Sequence, residues 1–315
     1  MLLIVTERGD LTADWLILEL EDRGARFLRF NTEDYPTDVG LVWRPEGAAL
    51  RIRGRVYPLS EFSAVWYRRP VSPRLPDAYS SEQAEWALRE SWEALMGAWR
   101  TLDALWINHP DRNRLAESKP EQLVTAARLG FEVPESLVTN EPDELRAFLA
   151  KHQRGIVCKP LWNGRVPVDE DERLFFTSPC NVAAVSHHPL GAEPYLFQEH
   201  VRKRADLRVT VVGCEAFTVR IESQKETDTK TDWRKGKPGR LDHVPDDLPT
   251  ELAELCVGLC EHYGLHFGAI DLARRPDGGY TFFELNPNGQ WAWVEQRTGL
   301  PLRARLADRL LAAGA

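Results

Sequence analysis

The segment that decides the fold is Phe267-Gly-Ala-Ile-Asp-Leu-Ala273, followed by Tyr280-Thr-Phe-Phe-Glu-Leu-Asn-Pro-Asn-Gly289. Each half begins with a short apolar run of the kind that forms a buried strand. Residues 274–279 join the two runs and include Asp-Gly-Gly, which can supply the positive φ angles of a hairpin turn. The segment therefore predicts two neighbouring strands joined as a hairpin.

Three side chains with hard oxygen ligands lie on this hairpin, namely Asp271, Glu284 and Asn286. Because side chains alternate along a strand, Glu284 and Asn286 are expected on one face, with Phe283 and Leu285 on the other. Two carboxylates and one amide suit Mg²⁺, which keeps waters and substrate phosphates among its ligands, better than they suit an all-protein calcium cage. On spacing alone, a hairpin whose polar face meets water is the alternative.

Two upstream lysines favour a site for an anionic ligand. Lys159 ends an apolar, β-branched run, and a lysine at the end of a buried strand needs an explanation that a surface lysine does not. Lys119 begins a predicted helix. An alternating strand over 206–213 places Asp206 and Arg208 on one face. Together with the hairpin, these residues indicate a site for magnesium and a nucleotide.

Several segments, taken in their order along the chain, carry a family resemblance. They are Asn113–Lys119, Leu129–Pro134 with Thr139-Asn140, Gln198–Val201, Asp206–Gly213, Thr231–Arg234 and Glu284–Trp291. Their order resembles the ATP-grasp superfamily over nearly the whole chain, which implies an α+β ATP-grasp fold. Trp66–Pro70, Thr231–Arg234 and Gln290-Trp291 further resemble one branch, the microviridin or graspetide type of ribosomal peptide macrocyclase. Ribosomal-protein glutamate ligases share most of the other segments.

The resemblance implies the chemistry and a role for each site residue. A substrate carboxylate attacks the γ-phosphate of ATP, and an alcohol or amine then attacks the resulting acyl phosphate. ATP and Mg²⁺ are the implied cofactors, with the metal at Asp271, Glu284 and Asn286. The implied cofactor-binding residues are Lys119, Lys159, the adenine hinge Gln198, Glu199 and Val201, and Asp206 at the ribose. The implied catalytic residues are Arg208, which neutralises charge, and Arg220 and Arg234, which hold the acceptor carboxylate.

The resemblance also implies a peptide substrate. The expected enzyme activates Asp or Glu side chains of a precursor peptide and links them to Ser, Thr or Lys side chains as ester or amide macrocycles. The expected partner is a ribosomal precursor peptide with a leader segment, docked on residues 206–249 and on Arg202, Lys203 and Arg204. An intermolecular amino-acid or glutamate ligase is the second interpretation, and a nucleotide-binding regulator without turnover is the third.

The composition is that of a globular protein with a large core, since 43% of the 315 residues are apolar and 28% are charged. A net charge of −8 argues against a nucleic-acid partner. No leader and no apolar run of membrane-spanning length are visible, so we expect no membrane partner and a cytoplasmic location, and a homodimer stays open. The five cysteines, Cys158, Cys180, Cys214, Cys256 and Cys260, fit that location. Cys256 and Cys260 are four residues apart on a predicted helix and could hold a soft metal, but no second pair or histidine partner has zinc spacing, so buried reduced thiols are expected of this pair.

Three regions are expected along the chain. They are an N-terminal α/β domain at 1–111, a central ATP-grasp subdomain at 112–200, and a C-terminal ATP-grasp subdomain at 201–315 with the metal site. The first region opens with a strand–helix–strand pattern, which predicts a parallel strand pair.

Three local expectations concern less regular segments. Helical spacing of tryptophan and other apolar residues predicts a helix over 81–106. Residues 131–134 predict a short strand. Trp162-Asn-Gly-Arg165 resembles the loop that closes over phosphates in this superfamily, and 169–172 is expected to form an exposed turn.

Overall fold

The structure is a computed structural model that describes residues 1–76, 79–162, 165–168, 171–180, 193–237 and 239–314, with the backbone alone at 165–168, 171–174 and 314. The chain forms two compact units. The first comprises Met1–Asn113, Gly264–Phe267 and Asn288–Ala315, and the second comprises Arg114–Tyr263 and Gly268–Pro287. The division into three regions stays a prediction.

The described residues form both helices and strands. The α-helices are α1 (Leu11–Asp22), α2 (Ser81–Arg100), α3 (Pro110–Ala116), α4 (Lys119–Leu129), α5 (Pro142–Lys151), α6 (Thr250–His262), α7 (Ala292–Thr298) and α8 (Leu302–Leu311). The strands are β1 (Leu2–Thr6), β2 (Phe27–Asn31), β3 (Val39–Arg44), β4 (Gly47–Ile52), β5 (Arg55–Pro58), β6 (Ala64–Tyr67), β7 (Leu105–Ile107), β8 (Ser136–Thr139), β9 (Ile156–Lys159), β10 (Arg165–Val168), β11 (Asp171–Leu174), β12 (Ser178–Cys180), β13 (Tyr195–Glu199), β14 (Ala205–Val212), β15 (Glu215–Ile221), β16 (His243–Asp246), β17 (Phe267–Arg274) and β18 (Tyr280–Asn286).

The first unit is built on a parallel sheet in the order β2-β1-β6-β7. Leu2 to Val5 of β1 are almost completely buried, as expected of a strand covered on both faces. Asp10 begins α1, because its side chain accepts hydrogen bonds from the backbone N–H groups of Thr12 and Ala13. The predicted parallel pair is therefore confirmed as β1 and β2.

The helix expected over 81–106 is shorter than predicted. α2 ends at Arg100, and Trp106 lies in β7. Its helical spacing is coincidental, since Trp106 reaches the same core from a strand and packs edge-on against Trp99 with ring centroids 6.5 Å apart. Hydrophobic spacing alone cannot distinguish a residue that reaches the core from a helix from one that reaches it from a strand.

Two of the segments that carry the family resemblance meet inside the first unit. Arg68 follows β6 and is 1% exposed. Its guanidinium donates hydrogen bonds to the carbonyl of Asn288 and, at 2.8 Å, to Oε1 of Gln290. Trp66 and Trp291 are both buried beside these residues in the chain. The Trp66–Pro70 and Gln290-Trp291 motifs therefore form one buried contact.

The second unit holds two larger sheets. One has the order β12-β9-β13-β8, and the other has the antiparallel order β16-β15-β14-β17-β18. α4 ends where Gly130 adopts a φ of +109°, a conformation that favours glycine. The strand predicted at 131–134 is wrong. β8 begins only at Ser136, after Pro134, which has no backbone N–H to donate to a ladder.

The segment around the expected phosphate loop is only partly described. Asn163 and Gly164 lie outside the described residues, and Arg165 begins β10, which pairs with β11 as a hairpin. Of the turn expected at 169–172, residues 169 and 170 also lie outside the described part, while Asp171 and Glu172 belong to β11.

The cysteines differ in burial. All are free thiols; Cys256 and Cys260 are fully buried, Cys158 and Cys180 are half-buried, and Cys214 is exposed. The burial expected of the α6 pair is thus confirmed, and the exposed Cys214 lies in the turn between β14 and β15. No helix among the described residues is long and apolar enough to span a membrane, and the cytoplasmic location stays a prediction.

Candidate nucleotide and metal site

The hairpin predicted from the sequence is present as β17 and β18. Gly278 in its turn has a φ of +89°. Asp271 lies directly opposite Glu284, and a β-bulge follows, since Leu272 pairs with Phe282. Phe283 is therefore an extra residue in the ladder.

The bulge corrects one expectation about the faces of β18. Strand alternation predicts that Phe283 points away from Glu284, but both line the same cavity. The extra residue interrupts the alternation at this point, whereas Leu285 is buried as expected. A bulge of this kind cannot be recognised from apolar and polar periodicity, because the run Phe282-Phe283 fits either face.

An open cavity in the second unit collects most of the predicted site residues. The predicted cofactor-binding residues that line it are Lys159, Gln198, Glu199, Val201 and Asp206. The predicted metal and catalytic residues that line it are Asp271, Glu284 and Arg234.

The two carboxylates of the hairpin differ in protonation behaviour. Burial raises the pKa of Asp271 to about 6, even though Arg208 donates a hydrogen bond to its Oδ1 at 2.8 Å. Burial also opposes ionisation of Glu284, but Arg234, at 3.5 Å, and Lys159 outweigh it and hold its pKa below the ordinary value. Glu284 is therefore ionised at neutral pH, and Asp271 loses its proton at a higher pH than an ordinary aspartic acid.

Lys159 and Lys119 approach the site from different elements. Lys159 at the end of β9 is 9% exposed, and burial lowers its pKa to about 8. Its Nζ lies 4.8 Å from the ring centroid of Phe283. Lys119 opens α4, and its Nζ donates to the carbonyls of Pro160 and Leu161 at 2.9 and 3.1 Å. Burial lowers the pKa of Lys119 too.

Lys203 is a cavity residue that the sequence motifs did not assign to the site. It is 9% exposed, and its Nζ donates to Oδ1 of Asp206 at 2.7 Å and to the carbonyl of Thr231 at 3.1 Å. The expectation that Arg202, Lys203 and Arg204 form one basic docking surface is therefore wrong for Lys203. Only Arg202 and Arg204 are exposed.

Asp232 is the second cavity residue that received no role. It is 4% exposed and accepts hydrogen bonds from Nε and Nη2 of Arg234, both at 2.9 Å, and from the backbone N–H of Thr177 at 3.1 Å. Burial opposes its ionisation, but Arg234 keeps its pKa below the ordinary value. Asp232 thereby orients the arginine that the Thr231–Arg234 motif contributes.

Four predicted residues do not line the cavity: Lys119, Arg208, Arg220 and Asn286. Arg208 contacts the lining residue Asp271, whereas Lys119 donates to the carbonyls of Pro160 and Leu161, which do not line it. Arg220 instead pairs with Glu222 at 2.7 Å and Asp246 at 3.1 Å. Asn286 is the exposed last residue of β18.

The donor set fits a magnesium site better than an all-protein cage. Asp271 and Glu284 face each other across the hairpin, so a cation between them would relieve the repulsion of two buried like charges. Within the described residues, no group of three or more His, Cys, Asp or Glu is placed to hold a metal. Mg²⁺ needs only one or two carboxylates when phosphates and waters complete its shell.

Comparisons with known proteins agree with this geometry. Residues 1–114 match the family model of the MvdD pre-ATP grasp domain. Macrocyclase MdnC of Microcystis aeruginosa, bound with precursor peptide MdnA, is 31% identical with a TM-score of 0.89, over 99% of this chain and 100% of that chain. The RiPP-associated ATP-grasp ligase of Chryseobacterium gregarium, in complex with ADP and a leader and core peptide, is 29% identical with a TM-score of 0.90, over 99% and 96%.

A curated relative matches a shorter stretch. Beta-citrylglutamate synthase B of Danio rerio is 28% identical over 120 residues, or 38% of this chain, and the match spans only 29% of that relative. The full-length similarity to MdnC is decisive for the family. This chain belongs to the ATP-grasp ligases, in the branch of the ribosomal peptide macrocyclases. The α+β ATP-grasp fold expected from the sequence is confirmed.

Proposed function

We propose that this protein is an ATP-dependent carboxylate ligase that activates Asp or Glu side chains of a precursor peptide as acyl phosphates. It then joins them to Ser, Thr or Lys side chains as ester or amide macrocycles. The full-length similarity to a macrocyclase bound with its precursor peptide supports the peptide substrate.

One observation carries the nucleotide part of the proposal. Lys159 is a buried cation in the cavity wall, and its Nζ makes no hydrogen bond or ion pair with any residue that the structure describes. A buried ammonium that no hydrogen bond or ion pair completes is costly, and burial lowers the pKa of Lys159 to about 8 even though the charge of Glu284 raises it. Phosphate oxygens are the ligand that would complete it.

The other cavity residues divide the binding of ATP between them. The adenine is held by Gln198 and Glu199 at the end of β13 and by Val201 just after it. Asp206 accepts hydrogen bonds from the ribose hydroxyls. Lys203 keeps the Asp206 carboxylate in place through the contact at 2.7 Å.

The acceptor carboxylate is held by Arg234. Its guanidinium is oriented by Asp232, lies 3.5 Å from Glu284 and lines the cavity. A planar guanidinium can bind a carboxylate with two parallel hydrogen bonds. Positioning and charge neutralisation account for most of the catalysis of phosphoryl transfer, so this arrangement supplies what the first step needs.

Asp271, Glu284 and Asn286 would hold Mg²⁺. When bound, the ion neutralises charge on the phosphates of ATP. Arg208 would hold the Asp271 carboxylate in place through its hydrogen bond to Oδ1 at 2.8 Å.

Mass spectrometry tests the proposal directly. The purified protein is incubated with ATP, Mg²⁺ and the short peptide encoded beside its gene, and each link formed removes one water from the peptide mass. ADP should accumulate with the product. If ADP forms while the mass of the peptide stays unchanged, the macrocyclase function is contradicted. The Lys159→Met variant is the matched inactive control.

The similarity to beta-citrylglutamate synthase B favours a second candidate, an intermolecular ligase that adds an amino acid such as glutamate. The same experiment separates the two. With free glutamate present, an intermolecular ligase increases the mass of its acceptor, whereas a macrocyclase lowers it.

The leader segment of the precursor is proposed to dock near Arg202 and Arg204, which are exposed on either side of the buried Lys203. Replacing both arginines by Glu should raise the KM for full-length precursor and leave the Kd for ATP unchanged. The effect should shrink at high salt, because exposed charges are screened over about 8–10 Å. Arg128→Glu, on the exposed face of α4, is the control. Unchanged KM at low salt would exclude this docking site.

A further inference from the structure

Phe283, the extra residue of the β-bulge in β18, lies beside two buried ammonium groups. The Nζ atoms of Lys159 and Lys203 are 4.8 and 5.6 Å from its ring centroid, and all three residues line the cavity. Both distances are within the range at which the negative face of an aromatic ring attracts a cation. The bulge thus brings one ring to two cations from other segments of the chain.

The two lysines depend on this ring to different degrees. Lys203 Nζ also donates to Oδ1 of Asp206 at 2.7 Å and to the carbonyl of Thr231 at 3.1 Å. Lys159 Nζ makes no hydrogen bond or ion pair within the part of the chain that the structure describes, and it is buried. The attraction between a cation and a ring is strongest where water is excluded. Lys159 is therefore the cation for which the ring matters most.

An aromatic ring supports an ammonium in a way that a carboxylate could not. A carboxylate accepts hydrogen bonds from the ammonium and carries a negative charge that repels phosphate. A ring attracts the ammonium through its quadrupole and has no net charge. The N–H donors of Lys159 therefore stay available to an anionic ligand.

Glu284 is the carboxylate that competes for this charge. It follows Phe283 in β18 and lines the same cavity, and its negative charge raises the pKa of Lys159 against the effect of burial. An ion pair between Lys159 and Glu284 would occupy a proposed phosphate ligand and a proposed metal ligand together. A group that attracts Lys159 without a charge of its own prevents this loss.

We propose that Phe283 is a positioning residue that holds Lys159 apart from Glu284, with its N–H donors directed to the phosphates of the nucleotide. The proposal rests on the nucleotide function of the cavity given above. The β-bulge makes this role possible, because it lets Phe283 and Glu284 line one cavity. In a regular strand, these two neighbours would point to opposite faces.

Fluorination of the ring tests this role in the full-length protein. Phenylalanine with one, two or three ring fluorines, incorporated at position 283, nearly keeps its shape but attracts a cation progressively less. The Kd for ATP, measured by calorimetry at fixed Mg²⁺, should rise with each fluorine and reach about tenfold for the trifluorinated ring. The same series at Phe282 is the matched control. Phe282 is buried against Phe131, with ring centroids 5.3 Å apart, and its fluorination should leave the Kd unchanged.

A second series in the Lys159→Met background identifies the group through which the ring acts. The ring then has no ammonium at position 159 to hold, so fluorination at position 283 should no longer change the Kd for ATP. A dependence on fluorination that persists in this background would mean that the ring acts on the nucleotide directly or through Lys203, and it would overturn the proposal.

The outcomes distinguish this role from the function that it depends on. If the Kd for ATP stays constant across the series at position 283 in the wild-type background, the role of Phe283 is overturned and the proposed ligase stands. If the wild-type protein does not bind ATP, both the role of Phe283 and the proposed ligase are overturned.

Discussion

At the scale of single residues, the cavity matches most of its buried carboxylates with a cation. Lys203 contacts Asp206 at 2.7 Å, and Arg208 contacts Asp271 at 2.8 Å. Lys159 differs, because its Nζ lies 4.8 Å from the ring centroid of Phe283 and makes no ion pair with a residue that the structure describes, although the charge of Glu284 still raises its pKa. An anionic ligand should therefore gain more binding free energy from contact with Lys159 than from contact with the other cations of the cavity.

The low pKa of Lys159 gives a pH-dependent affinity. In the free protein the side chain is charged below about pH 8 and neutral above it, so only the protein below that pH offers phosphate a cation. The Kd for ATP should therefore rise with pH between about pH 8 and 9.5, and the rise should approach tenfold per pH unit. At pH 7, the Lys159→Met variant should bind ATP at least about tenfold more weakly than the wild type. Its affinity should not depend on pH in this range. Calorimetry at fixed Mg²⁺ measures both, and a parallel pH profile in the variant would assign the titration to another group.

The proposed metal ligands give a second prediction. Glu284→Gln and Asn286→Ala should each lower turnover about 100-fold or more by weakening charge neutralisation at the phosphates. Raised Mg²⁺ should restore part of the activity of Asn286→Ala, since the carboxylates remain. Asp277→Asn, in the exposed turn of the same hairpin, is the matched control. Near wild-type turnover of either variant at low Mg²⁺ would remove that residue from the ligand set.

At the scale of elements, α4 protects the edge of the sheet that carries the site. β18 is an edge strand, and Gln122 of α4 bridges its backbone. The side chain accepts from the backbone N–H of Leu285 and donates to the carbonyl of the same residue, both at 2.8 Å. The helix thereby satisfies groups that an uncovered edge would leave open to another strand.

Gln122→Ala should therefore destabilise the second unit strongly for a single polar substitution. It leaves a buried N–H and a buried carbonyl without their partner, which costs about 2–4 kcal/mol in the free energy of unfolding. Denaturant unfolding followed by circular dichroism measures the change. Arg128→Ala, exposed on the same helix, should change stability by less than about 0.5 kcal/mol. Similar values for the two variants would mean that the bridge contributes little.

At the scale of the whole molecule, burial sorts the thiols into distinct classes of reactivity. Burial raises the pKa of Cys256 to about 12 and that of Cys260 higher still, so neither forms a thiolate near neutral pH. Burial also raises the pKa of the half-buried Cys158 to about 12. Cys214 is exposed in a turn.

Alkylation at neutral pH should therefore modify Cys214 first. Peptide mass mapping after a short treatment should find the label there, and Cys256 and Cys260 should react only in denaturant. Cys214→Ser should abolish the fast phase without altering the unfolding midpoint. Rapid labelling of Cys256 or Cys260 in the native protein would show that α6 opens far more readily than its burial implies.

Short-range patterns of the sequence were sufficient for much of the fold and for part of the site. The strand–helix–strand opening, the β17–β18 hairpin and its glycine turn follow from local hydrophobic periodicity and backbone chemistry, which depend on neighbours in the chain. The facing of Asp271 and Glu284 follows from the same rules. Family resemblance added the roles of the lysines and of the 198–201 hinge, and these roles stay proposals.

Tertiary structure alone decided the remaining features. The bulge that turns Phe283 into the cavity, the strand position of Trp106 and the burial of Lys203 depend on residues far away in sequence. Asp232 has no local signature, because what it does is orient another side chain. Periodicity reports which residues avoid water, but hydrogen-bond partners and charge balance are set only when distant segments meet.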